Sequence, residues 1–312
     1  MSAQPHHSDQ QEKTVMSKIS DTLQDGISVV KDNAMPDAYS LIAKAHSTTS
    51  LVLYESPASS YVQKVKIALR EKGLDFITQV PEDLSNNMTS GPLGSANPRI
   101  EVPVLIDGDL KVFDSTIILE YLEDKWPSPP LLPKDPAARA KARMIEELCD
   151  TEYEAINWGV AEVRWFKRAE GELAAKLERQ AKHHVEVVQR WLTDKLGSDP
   201  WFAGKEFGWA DACVAPIVNR SVTLGLGPAT DSSLAQWHSR VKKRPSVAKT
   251  FEEYEAALPG MLVLAKAVQA GERRREYRSQ RLEWMIKSGG LEVVAEGMRR
   301  DNIRFTWPQN VE

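Results

Sequence analysis

Apolar residues recur in this chain with two different periods, and the change from one to the other divides it. From Leu51 to about Lys125 short apolar runs alternate with single helical stripes. Leu51-Val52-Leu53-Tyr54 reads as a strand. After the loop Glu55-Ser56-Pro57-Ala58-Ser59-Ser60, a helix places Val62, Val65, Ala68 and Leu69 on one face, and Gly73 ends it. Phe76 to Val80 forms a second strand. The stretch from Pro81 to Pro98 is rich in Ser, Asn, Gly and Pro and reads as loop with at most one helical turn. Val102 to Ile106 and Leu110 to Phe113 flank Asp107-Gly108, a strong hairpin signal. Asp114-Ser115 then offers cap residues for a helix carrying Ile117, Ile118, Tyr121 and Leu122.

Trp126 to Pro136 holds five prolines and reads as a stiff linker. Beyond it every pattern is helical. One long helix is expected from Ala137 to about Ala169, and a second through Leu173, Leu177, Ala181, His184, Val188 and Leu192. A third carries Asp211 near its start and Pro216 within it, and shorter ones lie around Trp237 and Phe251. His184 sits on an apolar face and is expected to be a hydrogen-bonded core residue. Residues 1–13 are polar and read as a disordered tail, in which His6 and His7 are solvated. Val15, Ile19, Leu23, Ile27 and Val30 then give a one-sided helix. Its apolar stripe needs a partner surface: the main body, a second subunit or a membrane face. The expected organisation is an N-terminal extension over 1–49, an α/β domain over 50–128, an all-helical domain over 129–259 and a partly helical extension over 260–312.

Charge and composition narrow the function. The net charge is −4 in 312 residues, so no basic field argues for nucleic acid, and the arginines from Arg273 to Arg281 are interleaved with glutamates. No apolar run approaches the ~18 residues needed to span a bilayer. The two cysteines, Cys149 and Cys213, have no partner at ligand spacing and read as buried thiols in a reducing compartment, with no metal site; a cytoplasmic location is expected. The candidate chemistry lies at the mouth of the first helix. A hydroxyl there caps the helix and faces a place that favours anions. Ser59, Ser60 and Tyr54 are the candidates.

Three elements in order resemble the cytosolic glutathione transferase superfamily, in its serine-type zeta and theta branches. They are SPASSYVQKVKIALREKG, then Asn97-Pro98 followed by Val102-Pro103-Val104-Leu105, then Asp114-Ser115 with ILEYLEDKWP. FAGKEFGWADACVAP resembles the start of that superfamily's sixth helix. The resemblance covers about Ser50 to Leu258. It implies a thioredoxin-like N-terminal domain with a mixed four-stranded sheet, then an all-α helical bundle. It also implies a cis Val102-Pro103 bond, glutathione as co-substrate, and homodimers. Carried over residue by residue, Ser59 takes the thiol-activating position, with Ser60 and Tyr54 as alternatives. Val102 and Pro103 take the cysteinyl-binding position, and Asp114 and Ser115 hold the γ-glutamyl group. The electrophile's pocket maps to Ala58, Asn157, Trp158, Ala161 and Trp165.

A free thiol is mostly protonated at neutral pH. A serine hydroxyl that donates to the thiolate, together with the helix dipole, lowers that barrier. The implied function is attack of the glutathione thiol on an electrophilic, aromatic or polyketide-like molecule, by conjugation, isomerisation or reductive cleavage. The long extensions would suit a biosynthetic role, while a non-catalytic binding or regulatory protein of the same fold is the alternative. Two departures stand out. Ile100-Glu101 replaces a Gly-Lys pair, and an acid there would repel the glycyl carboxylate. Gly208 replaces a Ser or Thr helix cap.

Overall fold

The computed structural model describes residues 51–84, 91–276 and 279–304. The chain divides into residues 1–49 and a compact unit, Ser50–Glu312, to which all the described residues belong. The N-terminal tail and the stripe from Val15 to Val30 therefore lie outside the described residues.

Strand β1 (Leu51–Tyr54) leads into helix α1 (Ser60–Glu71), then β2 (Phe76–Gln79), a 3-10 turn (Glu82–Leu84) and the short α2 (Pro92–Ala96). The hairpin β3 (Val104–Asp107) and β4 (Leu110–Phe113) follows, then α3 (Ser115–Lys125). The sheet order is β2-β1-β3-β4, with β1 and β2 parallel and the other pairs antiparallel. Gly108 takes a φ of +60°, which the tight turn after Asp107 requires. Helices α1 and α3 bury Val65, Leu69, Ile118 and Leu122 with Leu53 and Leu105 of the sheet.

The proline-rich linker is pinned rather than loose. Buried Glu123 accepts from the backbone N–H groups of Leu131 (3.1 Å) and Leu132 (3.1 Å) and pairs with Lys72 at 2.8 Å. Lys72 in turn donates to the carbonyls of Trp126 (2.8 Å) and Pro129 (3.0 Å).

The helical part comprises α4 (Pro136–Leu148), a π turn (Cys149–Tyr153), α5 (Glu154–Arg164), α6 (Gly171–Leu196), α7 (Trp209–Thr223), α8 (Ser233–Val241) and α9 (Pro245–Gln269). The single long helix expected from 137 to 169 is thus interrupted by the π turn and stops at Arg164. There the N–H groups of Trp165 and Phe166 both turn back to the Ala161 carbonyl, and Lys167 adopts a φ of +51°. The helix around Phe251 is long, not short, and runs through Pro259 past the expected boundary at 259/260. A terminal module follows: β5 (Arg275–Glu276), α10 (Ser279–Lys287), α11 (Leu291–Arg299) and β6 (Ile303–Arg304), with β5 and β6 paired in parallel. Met285, Val293, Val294 and Ile303 of this module are buried in the same core as α5 and α6.

Gly208 at the start of α7 has a packing reason. A Cβ there would lie 2.9 Å from the Leu131 carbonyl oxygen, which already accepts from Trp209 N–H at 2.8 Å. Asp211 supplies the other half of the cap, accepting from Gly208 N–H at 3.0 Å, and also receives Trp237 Nε1 at 2.7 Å. Cys149 and Cys213 are free and buried, and burial pushes both thiols upward.

Candidate functional site

The sheet register gathers the candidate residues at one end. Tyr54 is paired with Val104, and Val104 with Phe113. The next residues in each direction, Glu55, Pro103 and Asp114, therefore share one edge of the sheet. The α1 loop, the Val102-Pro103 bond and the start of α3 all meet there. The Val102-Pro103 peptide is cis.

The two serines have different surroundings. Ser59 is the N-cap of α1 and is half-buried; its hydroxyl accepts from Val62 N–H at a long 3.4 Å. Ser60 is 1% exposed and donates to Glu154 Oε2 of α5 at 3.2 Å. Its hydroxyl is committed to the helical part. Tyr54 packs its side chain against the cluster of Leu93, Ala96, Ile100 and Val104. The N–H groups of Ser60 and Tyr61, in the first turn, have no acceptor along the helix, which leaves a place for negative charge beside Ser59.

Asp114 is exposed, with a φ of +74°, and caps α3. Its Oδ1 takes both Thr116 N–H (3.0 Å) and Ile117 N–H (3.3 Å), so Oδ2 plays no part in the cap. Ser115 beside it is buried. Glu101 forms an ion pair with Arg99, Nε to Oε2 at 2.8 Å, and its carbonyl accepts from Asn97 Nδ2 at 2.9 Å. Its acidity is therefore locally compensated, which the one-residue comparison with a Gly-Lys pair does not reveal.

The residues expected to wall the electrophile's pocket have these surroundings. Asn157 is fully buried, donates to the Ile217 carbonyl at 3.0 Å and accepts from Ser221 Oγ at 2.6 Å. Ala58 is buried too, and its carbonyl accepts from Arg220 Nη2. Trp158 lies under the guanidinium groups of Arg275 (5.5 Å) and Arg281 (5.3 Å). Ala161 is buried, while the half-buried Trp165 joins the cluster of Phe166, Ala265 and Val268. Arg275 pairs with the fully buried Glu162 at 2.6 Å. The terminal module thus covers the face of α5 that the pocket was expected to use.

Beneath the site lies a polar seam. Lys64 of α1, 1% exposed, pairs with Glu146 at 2.6 Å and with Asp150, and donates to Thr116 Oγ1 at 3.2 Å. Burial opposes its charge, but Asp150 and Glu146 outweigh that and hold its pKa above the ordinary lysine value. Tyr61 donates to the Asp150 carbonyl at 2.7 Å, and burial raises its phenol. Glu154 receives Ser60 from one side and Arg220 from the other. Sequence reasoning missed this seam. Acids four apart at 146, 150 and 154, opposite polar residues four apart at 60 and 64, were the available signal.

Two family models match in the order of the two halves. That for the glutathione S-transferase N-terminal domain covers residues 53–130, and that for the C-terminal domain covers residues 154–259. The chain belongs to the glutathione S-transferase family. Glutathione S-transferase U28 of Arabidopsis thaliana is 31% identical over 225 residues, covering 69% of this chain and 95% of that protein. The stringent starvation protein A homolog of Pasteurella multocida is 28% identical over 208 residues, covering 66% of this chain and 92% of that protein. Among solved structures, rice GST1 in complex with glutathione superposes with a TM-score of 0.56 at 27% identity, over 70% of this chain and 97% of that one. The chain thus carries its family's two domains, with further residues on both sides of them. Among the described residues no helix is long and apolar enough to cross a membrane, and no three metal-ligating side chains cluster.

Proposed function

We propose that this glutathione S-transferase activates the thiol of glutathione with Ser59 for attack on a small electrophile. The observation that carries the reading is the contrast between two adjacent serines. Ser60 is buried and taken by Glu154, whereas Ser59 keeps a half-buried hydroxyl with only a 3.4 Å cap contact. In this reading Ser59 donates to the sulfur, and the N–H groups of the first turn add positive potential. Val102 pairs its backbone with the cysteinyl residue. Asp114 accepts from the γ-glutamyl ammonium through its uncommitted Oδ2, and Ser115 donates to the adjoining carboxylate. The ion pair between Arg99 and Glu101 supports the fit, because it neutralises the acid that would repel the glycyl carboxylate.

The reading extends to an aromatic or polyketide-like electrophile in a biosynthetic pathway, by conjugation, isomerisation or reductive cleavage, and to a cytoplasmic homodimer. Exposed Phe113, Ile117 and Met144 support the dimer. They lie on β4, α3 and α4, the last two of which the Arg143–Glu120 ion pair joins. A second reading, a non-catalytic member of the fold, is favoured by the terminal module over Trp158 and Glu162, since it occupies the expected electrophile wall.

Calorimetry with glutathione, followed by Ser59→Ala assayed on a model electrophile, separates the two. A hydrogen bond to a charged group contributes about 1.5–3 kcal/mol, so Ser59→Ala should lower kcat roughly 10- to 100-fold. No binding at millimolar glutathione would sink the enzyme reading. Unchanged turnover in Ser59→Ala would remove Ser59 from the chemistry.

A further inference from the structure

Both neighbours of Ser59, Ala58 and Ser60, are held by side chains of the helical part. Arg220 of α7 sends Nη2 to the Ala58 carbonyl and Nη1 to Glu154 Oε1. Glu154 of α5 uses its other oxygen for Ser60 Oγ at 3.2 Å. Satisfying the Arg220–Glu154 pair alone would need neither the contact with Ala58 nor that with Ser60. Instead each partner spends its second group on a residue that flanks Ser59.

We propose that Arg220 and Glu154 are positioning residues of the thiol site: a clamp from the helical part that holds Ala58 and Ser60 and thereby fixes the orientation of Ser59 and of the first turn of α1.

The clamp works in a poor solvent for error. The side chains of Arg220, Glu154 and Ser60 are 12%, 1% and 1% exposed. Hydrogen bonds there are strong, and a misplaced partner is left unsatisfied at high cost. A guanidinium suits the task because its rigid fork serves two acceptors at once, which an ammonium on a flexible stem does not. The charged and titratable groups that act on the pair are Tyr254 of α9 on Arg220, and Asp150, Cys149 and Tyr153 of the π turn with Tyr61 of α1 on Glu154. For its chemistry the inference rests on the glutathione reading above; its geometry does not.

The test uses the full chain as wild type, Arg220→Lys, Arg220→Gln and the double variant Arg220→Gln/Glu154→Gln, which leaves no buried charge unpaired. Amide hydrogen exchange is followed over residues 56–63. The ultraviolet absorbance of the bound glutathione thiolate is titrated against pH, and kcat and KM are measured separately. The expected result for Arg220→Gln is roughly tenfold faster exchange confined to residues 56–63. Its bound thiol should titrate about one unit higher, with kcat about tenfold lower and the glutathione KM within about twofold. Arg220→Lys, which keeps the charge and loses the fork, should move the same way, and so should the double variant.

Exchange unchanged over 56–63 overturns the clamp, as does exchange raised equally across β1 and α9, which marks a general folding role. A wild-type thiol profile retained in all three variants overturns the link to the thiol. Absence of glutathione binding by the wild type overturns the underlying reading and the thiol part together, while the exchange data still decide the clamp.

Discussion

Gly159→Ala on α5 sets two effects of opposite sign against each other. Alanine in a helix interior is favoured over glycine by about 1 kcal/mol. At Gly159, however, a Cβ would lie 2.2 Å from Trp284 Cζ3, 2.6 Å from Cε3 and 3.0 Å from Cη2. The obstacle is an aromatic ring, which cannot bend aside as the end of a lysine can. That ring is 5% exposed, and its Nε1 donates to His184 Nδ1 at 3.2 Å. Overpacking costs about 1–3 kcal/mol, and complete expulsion of the ring would forfeit the roughly 3–5 kcal/mol typical of a buried tryptophan. Over most of that range the clash wins, and after the ~1 kcal/mol gain is subtracted Gly159→Ala should loosen the terminal module by up to about 2 kcal/mol. Urea unfolding and the rate of tryptic cleavage at the basic run Arg273–Arg275 measure it. In a Trp284→Ala background the clash is gone, and Gly159→Ala should instead stabilise by up to about 1 kcal/mol. The sign reversal is the signature. A gain of the same size in both backgrounds would show that the ring does not rest on Gly159.

Two further outcomes are expected. Burial, with Lys242 adding, lowers His238 to about 4, and its Nε2 lies 3.2 Å from Asn219 Oδ1. Below the unfolded value of about 6.5 the unfolded chain takes up a proton that the folded chain refuses. Stability should thus fall as pH drops from about 6.5 to about 4, by on the order of 3 kcal/mol, and His238→Gln should remove that part of the pH dependence in denaturation curves. Arg99→Ala should unmask Glu101 and weaken glutathione binding by calorimetry about fivefold, from the ~1 kcal/mol of two like charges a few ångströms apart in water, with Glu101→Gln restoring it. Equal affinity in Arg99→Ala and the wild type would mean that the pair does not face the ligand.

The parts legible in the sequence are those set by neighbours in the chain. The β1-loop-α1 unit, the Asp107-Gly108 hairpin and the Asp114 cap depend on local turn chemistry and emerge where expected. His184 keeps a hydrogen-bond partner, as its apolar face implied, but that partner is Trp284, a hundred residues away. Periodicity states that a face is covered without stating by what. This is why Trp158 reads as pocket wall in the sequence and lies under Arg275 and Arg281 in the structure. The hydrogen bonds of Asn157 were equally hidden: its neighbours on α5 gave no sign that its amide would bond to Ile217 and Ser221 of α7.

The π turn at Cys149–Tyr153 explains how the seam can exist at all. At 3.6 residues per turn, positions eight apart on an α-helix are rotated by about 80°, so Glu146 and Glu154 would not face the same neighbour. A π turn takes more residues per revolution and recovers part of that angle. The acids at 146, 150 and 154 can then follow α1: Glu146 and Asp150 both pair with Lys64, the Asp150 carbonyl accepts from Tyr61, and Glu154 accepts from Ser60. An apolar contact between α1 and α4–α5 would bury area equally well and tolerate sliding. A row of buried, paired charges does not, because each ångström of slip strands a group that water cannot reach. The departure from regular helix is therefore what ties the orientation of the Ser59 loop to the helical part of the molecule.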